Sequence, residues 1–223
     1  NVLGCVNDIP ELVKRARACG AAILMDAAQS APHMPIDVQK LDVDFVAFSG
    51  HKMLAPMGIG VLYGKQELLE KMPPFLTGGE MIETVSRYDA VYAELPHKFE
   101  AGTVNAGGAV GLAAAIDYLE SYGMDKLHAV EQELSAYLFR GMKAIPHIHV
   151  LGSDREDNHT GIVSFAVDQV HPHDISEVLS SDGMDIRAGH HCAQPLHDHL
   201  GVHSTARASL RFYNPKEEIA RIL

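Results

Sequence analysis

Residues 44–52 of this chain read DFVAFSGHK, and this stretch gives the strongest indication of how the chain folds. Residues 44–49 form a short apolar run that predicts a buried strand, and a glycine, a histidine and Lys52 follow at once. Partial desolvation after a buried strand favours a neutral amine, which can attack a carbonyl carbon. The neighbouring serine, glycine and histidine can donate hydrogen bonds to a phosphate. The stretch therefore predicts a lysine that holds a phosphorylated aldehyde, with an ordinary surface lysine as the alternative.

Short apolar runs and helical patterns alternate on both sides of this stretch, which predicts an α/β fold. In the first half we predict strands at 21–25, 44–49 and 58–63, and helices from about 8 to 19 and over 65–72. Residues 73–105 are rich in turn formers and predict a long functional loop. Two helices at 107–121 and 124–144 follow, and the domain boundary is expected between them. Beyond it we predict strands at 147–151, 161–167, 184–187 and 206–212, and a helix at 173–181.

The composition is that of an ordinary globular protein and excludes several classes of partner. Eighteen Lys and Arg residues stand against 29 Asp and Glu, a net charge of −11 with no basic run, which disfavours nucleic acid. No apolar stretch is long enough to span a bilayer, so we expect no membrane partner. The three cysteines are too few for a disulfide framework, and we expect a cytoplasmic location. The chain starts without Met, like the interior of a domain, so we expect sequence before Asn1.

Asp26 and Lys52 each follow a predicted strand, and ligands of α/β sheets bind beyond the carboxyl ends of the strands. A buried carboxylate keeps the ring nitrogen of a pyridine cofactor protonated, and Asp26 can serve in this way. Gln29 can donate to an oxygen on such a ring, while Ser49 and His51 can hold a phosphate. Taken singly, Asp26 reads equally well as a helix N-cap and Gln29 as a solvated side chain.

Three segments closely resemble one enzyme family: DAAQSAPH at 26–33, FSGHK at 48–52 and RAGHHCAQPL at 187–196. They resemble the cysteine desulfurases among the fold-type I enzymes that use pyridoxal 5'-phosphate (PLP). The third segment resembles the SufS-type, or group II, branch, which shares its fold with selenocysteine lyases. The resemblance extends over essentially the whole chain. It implies an aspartate aminotransferase-like α/β fold, with residues 1–121 as the C-terminal portion of a large PLP-binding domain and 122–223 as a small domain.

The resemblance also implies roles for individual residues. Those implied to bind the cofactor are Asp26, Gln29, Ser49, His51, Lys52 and Thr103, with Lys52 bonded to the aldehyde and Thr103 reaching the phosphate of a second subunit in a homodimer. Asn1 and Arg207 match the positions that grip the substrate carboxylate. Cys192 matches the nucleophile that takes sulfur from L-cysteine as a persulfide. The implied activity is conversion of L-cysteine to L-alanine, with sulfur passed to an acceptor protein for iron–sulfur cluster assembly.

The residues themselves support part of this reading and leave alternatives open. Arg207 offers a bidentate fork for a carboxylate, and glycine and histidines before Cys192 suit a mobile, electropositive loop. The alternative for Cys192 is a small buried core residue, whereas Cys5 and Cys19 lack such surroundings and are interpreted as structural or incidental. Arg187 fits either the ordering of the cysteine loop or a plain salt bridge.

Other functions remain as alternatives. A selenocysteine lyase or another PLP enzyme of the same fold would keep the cofactor and change the substrate. A non-catalytic or degenerate fragment would retain the fold without the activity and act as a binding partner. Five histidines near Cys192 could also suggest zinc, but their spacing matches no standard motif, and we predict no metal site.

Overall fold

The structure is a computed structural model that describes residues 1–223, and the chain forms two compact units. The Lys52 unit comprises Ile9–Pro32 and Ile36–Ser121. The Cys192 unit comprises Asn1–Asp8, His33–Pro35 and Tyr122–Leu223. The last division between the two units lies between Ser121 and Tyr122. The assignment of 1–121 and 122–223 to a cofactor domain and a small domain stays a prediction.

Two segments of the first 121 residues belong to the Cys192 unit, which a contiguous division does not foresee. The Gly4 carbonyl accepts a hydrogen bond of 2.8 Å from the Thr160 amide. The buried His33 ring lies 2.6 Å, Nδ1 to Oε2, from the Glu131 carboxylate, which is also buried. Both contacts join polar groups that are far apart in the sequence, and the periodicity of apolar residues does not predict such contacts.

The Lys52 unit is built around a three-stranded sheet of β1 (Leu24–Asp26), β2 (Phe45–Ser49) and β3 (Gly60–Gly64), in this order. β1 and β2 run parallel, and β3 is antiparallel to β2. Its elements are α1 (Ile9–Ala18), β1 (Leu24–Asp26), α2 (Val38–Leu41), β2 (Phe45–Ser49), β3 (Gly60–Gly64), α3 (Gln66–Lys71), β4 (Ile82–Val85), β5 (Ala90–Tyr92) and α4 (Ala106–Tyr122). Its core cluster consists of Val13, Met25, Ala27, Val43 and Val46. The apolar runs of the sequence are thus strands because they supply this core.

The predicted loop at 73–105 is wrong in part, because it contains the β4–β5 hairpin and a 3₁₀ turn at His97–Phe99. The hairpin turn is closed by Ser86, whose Oγ accepts from the amide of Asp89 at 3.0 Å. Most side chains of both strands are exposed. Because neither face is buried, the hairpin shows no alternation of apolar and polar residues, and the sequence contains no strand signal for it.

The Cys192 unit is a four-stranded antiparallel sheet covered on one side by helices. Its strands lie in the order β6 (Ile148–Leu151), β7 (Ile162–Val167), β9 (Thr205–Ser209) and β8 (Arg187–Gly189). Its elements are α5 (Met124–Ala144), β6 (Ile148–Leu151), β7 (Ile162–Val167), α6 (Pro172–Ser181), β8 (Arg187–Gly189), α7 (Gln194–Leu200), β9 (Thr205–Ser209) and α8 (Lys216–Ile222). The core cluster comprises Leu134, Leu138, Met142, Val163, Phe165, Ala206, Ala208, Leu210 and Ile219. None of the helices combines the length and apolar character that crossing a membrane requires.

Three short helices were not predicted: α2, α7 and α8. Their signals are present but local. Asp37 caps α2 by accepting from the amides of Gln39 and Lys40, and α7 has Pro195 in its first turn and Gly201 after its end. These helices have four to seven residues and contain too few turns to show a clear periodic apolar face.

The start of β2 is held by Asp44, the buried carboxylate that precedes the strand. Arg17 donates to both of its oxygens, at 2.7 and 2.9 Å, and the Ile23 amide donates to Oδ2 at 2.8 Å. The Arg17 guanidinium holds the pKa of the Asp44 carboxyl well below its usual range, even though burial acts in the opposite direction. These bonds join the beginnings of β1 and β2 and so set the register of the parallel pair.

We predict that Asp44→Asn lowers the free energy of unfolding by about 2–3 kcal/mol at neutral pH, because Arg17 and Lys65 lose their buried carboxylate partner. Since the folded pKa is depressed, this stabilisation is present above the ordinary pKa of Asp and disappears as pH falls below about 4. Urea unfolding at about pH 7 and about pH 3 measures both effects. The control, Asp42→Asn, changes an exposed carboxylate that also pairs with Arg17 and Lys65, and we expect a smaller loss because solvent screens these pairs. Equal losses in the two variants would contradict this role of Asp44.

Candidate functional site

In the Lys52 unit, the predicted site residues gather at one edge of the sheet. Asp26 is the last residue of β1, Ser49 is the last residue of β2, and Lys52 lies in the 3₁₀ turn Gly50–Met53 that follows. β1 and β2 are parallel neighbours, with Asp26 opposite Ala47. The carboxyl ends of both strands therefore point the same way, as the sequence predicts.

The turn that carries Lys52 is packed tightly against the segment before β3. The Gly50 amide donates to the Ile59 carbonyl at 2.9 Å. A Cβ atom at Gly50 would lie 2.7 Å from Ile59 Cγ2 and 3.1 Å from Ile59 O. Glycine is thus required here by close approach, and the chain direction after β2 is defined by backbone contacts.

The donor set at this edge has few partners within the chain. Lys52 is half-buried, forms no ion pair, and its amine makes no hydrogen bond; Gln29 and Ser49 are half-buried too. Asp26 Oδ1 accepts from the Ala28 amide at 2.9 Å, which leaves the other oxygen available. His51 is exposed, and Thr103 is exposed in the segment that precedes α4. An unpaired amine, a free carboxylate oxygen, and hydroxyl and imidazole donors are the chemistry that a phosphorylated pyridine aldehyde needs.

The expectation of a buried carboxylate at Asp26 is wrong for this structure, where Asp26 is exposed. β1 has only three residues, and Asp26 stands at its open end. Its neighbours Met25 and Ala27 are the buried ones, and a strand alternates its side chains between faces.

In the Cys192 unit, the predicted nucleophile is exposed on a tight turn between β8 and α7. The Ala193 amide donates to the His190 carbonyl at 2.9 Å, closing a four-residue turn. Its two central residues, His191 and Cys192, have φ angles of +52° and +62°. Non-glycine residues rarely adopt this left-handed conformation, and two in succession form a strained turn. The predicted cysteine loop is therefore short and defined.

Two arginines face this turn from adjacent strands. Arg187 on β8 is directly opposite Arg207 on β9, and Arg187 Nη2 donates to Cys192 Sγ at 3.3 Å. Arg187 forms no ion pair, so of its two predicted roles the structure favours contact with the cysteine.

Arg207 carries a guanidinium without a carboxylate partner. Its Nε is buried and makes no hydrogen bond. Burial and the charge of Arg187 lower the pKa of Arg207, while Cys192 acts in the opposite direction. A partly buried, unpaired guanidinium is an incomplete site for an anion, and a carboxylate matches its fork.

Asn1 belongs to a segment that is joined to the strand beside Arg207. Ser164 on β7 is opposite Arg207, and its Oγ donates to the Val2 carbonyl at 2.5 Å. Asn1 itself is exposed, and its carbonyl accepts from the Gly4 amide at 3.0 Å. The segment that carries Asn1 is thus held, through Val2 and Ser164, next to the strand that carries Arg207.

A buried polar cluster beneath the cysteine turn was not foreseen. His191 and His197 both lie within hydrogen-bonding distance of Thr205 Oγ1, at 2.9 and 3.1 Å from their Nε2 atoms. The histidines stood out in the sequence as zinc candidates, but a threonine at the start of a strand carries no signal. No three of the His, Cys, Asp and Glu side chains come together in a way that could hold a metal ion.

These features can be compared with known proteins. The sequence profile of the aminotransferase class-V family matches residues 1–222, and the chain belongs to this family. A probable cysteine desulfurase of Streptomyces coelicolor is 50% identical over 219 residues, which are 98% of this chain and 52% of that protein. The chain spans about half the length of the curated relatives it matches.

Solved structures agree with this assignment. The apo cysteine desulfurase from Thermococcus onnurineus NA1 is 42% identical with a TM-score of 0.94, covering 99% of this chain and 55% of that one. A variant of the enzyme C-DES with glycine covalently linked to its PLP cofactor is 28% identical, with a TM-score of 0.82, 99% of this chain and 57% of that one. The predicted α/β architecture of fold type I is confirmed.

Proposed function

We propose that this protein is a cysteine desulfurase, which converts L-cysteine to L-alanine and leaves a persulfide on Cys192. The observation that carries the proposal is the exposed Cys192 sulfur, which accepts a hydrogen bond from Arg187 next to the unpaired Arg207. A nucleophilic thiol beside a site for a carboxylate is what the reaction with an amino acid requires. The identity of about half the residues with relatives named as probable cysteine desulfurases supports it.

The cofactor that we propose is PLP. The residues that would hold it are Lys52 on the aldehyde, Asp26 on the ring nitrogen, Gln29 on the ring oxygen, and Ser49, His51 and Thr103 on the phosphate. When bound, PLP supplies an electron sink that stabilises negative charge on the α-carbon of the substrate. The unpaired amine of Lys52 and the available oxygen of Asp26 support this assignment.

Side chains of the protein bind the substrate, transfer the proton and accept the sulfur. Arg207, through its guanidinium, and Asn1 bind the substrate carboxylate, and the Lys52 amine moves the proton from the α-carbon. Cys192 Sγ attacks the substrate sulfur, so that an S–S bond forms as the C–S bond breaks. The electron pair of the C–S bond passes to the carbon, which takes up a proton and leaves as L-alanine. Cysteine and a thiol thus become alanine and a persulfide, with no outside oxidant.

The exposure of Cys192 also supports delivery of the sulfur to an acceptor protein, which we propose serves iron–sulfur cluster assembly in the cytoplasm. The RAGHHC segment favours the group II branch. These finer assignments rest on the sequence resemblance and on the exposed turn.

We further propose a homodimer. The β4–β5 hairpin exposes large apolar side chains: Val85 at 69%, Tyr88 at 90% and Val91 at 51%. Clustered exposure of this kind is typical of interaction surfaces. A monomer mass by light scattering at micromolar concentration would contradict the proposal.

We predict that borohydride treatment of the protein incubated with PLP fixes a pyridoxyl group on Lys52, because its amine has no partner in the chain. Peptide mass spectrometry locates the label. The Lys52→Arg variant takes up no label, since a guanidinium does not form the bond. The control Lys40→Arg changes an exposed lysine on α2 and labels like the wild type. Labelling spread over several lysines would contradict the assignment.

We predict that Cys192→Ser loses at least about 100-fold in alanine and persulfide formation from L-cysteine, because a hydroxyl is a poor acceptor for sulfur. The control Cys19→Ser also changes an exposed cysteine and keeps full activity. Sulfur transfer that persists in Cys192→Ser would refute the role of Cys192. Turnover of selenocysteine that persists while cysteine turnover is lost would favour the selenocysteine lyase alternative.

A further inference from the structure

Beneath the exposed Cys192, the turn is anchored by a buried polar chain. His191 is only 7% exposed, His197 and Thr205 are each 1% exposed, and the three are joined through Thr205 Oγ1. Neighbouring residues of one turn thus face opposite ways, with the Cys192 sulfur in solvent and the His191 ring in the interior.

For neutral His197, the hydrogen-bond partners determine which atom donates in each hydrogen bond between His197, Thr205 and His191. His197 Nδ1 lies 3.1 Å from the Ala193 carbonyl, which can only accept, so Nδ1 carries the proton. In neutral His197 the Nε2 atom is then an acceptor, and it receives the single hydroxyl proton of Thr205. Thr205 Oγ1 in turn accepts from His191 Nε2. His191 is therefore the Nε2–H tautomer, and its buried Nδ1, which has no partner, is bare.

The surroundings keep His191 neutral. Burial lowers the pKa of His191 to about 4, and the charges of Arg207 and Arg187 act in the same direction. A second proton would sit on the buried Nδ1 with no acceptor. The ring is thus a donor to Thr205 throughout the physiological pH range.

Thr205 occupies the position from which it can reach both histidines. It is the first residue of β9, directly opposite Gly189 at the end of β8, where the turn begins. Arg207 lies two residues further along β9, on the same face of the strand as Thr205. Ala206 and Ala208 point the other way, into the hydrophobic core. One face of β9 therefore presents both the anchor of the turn and the unpaired guanidinium.

We propose that Thr205 is a positioning residue, whose hydroxyl joins His191 to His197 and thereby holds the strained His191–Cys192 turn in the form that aims Cys192 Sγ at Arg187. Two successive left-handed residues without glycine persist only where the surroundings impose them. The buried His191 ring supplies that constraint. At the other end of the hydrogen-bonded series, His197 donates to the carbonyl of Ala193, which is the last residue of the turn. The consequence for sulfur transfer rests on the proposed function, whereas the geometry of the turn does not.

The test compares Thr205→Val with Thr205→Ser. Valine keeps the β-branched shape and removes only the hydroxyl, while serine keeps the hydroxyl. We expect Thr205→Val to slow alkylation of Cys192 by iodoacetamide by about threefold to tenfold, because the sulfur leaves the guanidinium that stabilises negative charge on it. Thr205→Ser restores the rate, and Cys19 in the same molecules is the internal reference. A Cys192 rate that is unchanged or faster in Thr205→Val, measured by peptide mass spectrometry, overturns the proposal.

A second measurement needs no variant and so does not depend on whether Thr205→Val folds. Nitrogen-15 NMR of the wild type distinguishes the tautomers, and we expect the proton of His191 on Nε2 and that of His197 on Nδ1. A His191 ring protonated on Nδ1 overturns the proposal.

In the desulfurase assay, we expect Thr205→Val to lower kcat at least tenfold with the KM for cysteine unchanged. If the wild type has no desulfurase activity, the proposed function is refuted. The positioning role of Thr205 still stands in that case, provided that the alkylation rates and the histidine tautomers are as expected.

Discussion

The parallel pairing of β1 with β2 is the constraint on which the Lys52 unit depends. Asp44 ties the beginnings of the two strands together by accepting from Arg17 and from the Ile23 amide. With one end fixed, the register follows, and Asp26 at the end of β1 comes to the same edge as Lys52 after β2. A shift of one residue would turn Met25 and Val46 out of the core, so hydrophobic burial reinforces the register that the ion pair sets.

A comparable constraint operates in the Cys192 unit, but there it comes from antiparallel pairing. β8 and β9 place Arg187 opposite Arg207 and Gly189 opposite Thr205. The two arginines repel each other and share no carboxylate, an arrangement that costs stability unless an anion binds. Functional sites commonly hold such unsatisfied groups, and the strained turn at Cys192 is a second example in the same place.

Much of the architecture follows from local pattern. The apolar runs predict β1, β2 and β3 to within a few residues, and the two long helices on either side of Gly123 are confirmed. The short helices α2, α7 and α8 and the β4–β5 hairpin are not predicted in this way. Their determinants are single capping or turn residues such as Asp37 and Ser86, and their exposed faces leave no periodic signal.

The sequence by itself determined the class of fold and the reactive groups, because strand periodicity and the motifs around Lys52 and Cys192 are local properties of the chain. Only the tertiary structure decided the partners of those groups. Asp26 is exposed, Arg187 contacts the cysteine sulfur, and Thr205 links two buried histidines under the turn. The physical reason is that hydrogen bonds and burial join residues far apart in the chain, and a residue such as Thr205 acquires its role only from the neighbours that folding brings to it.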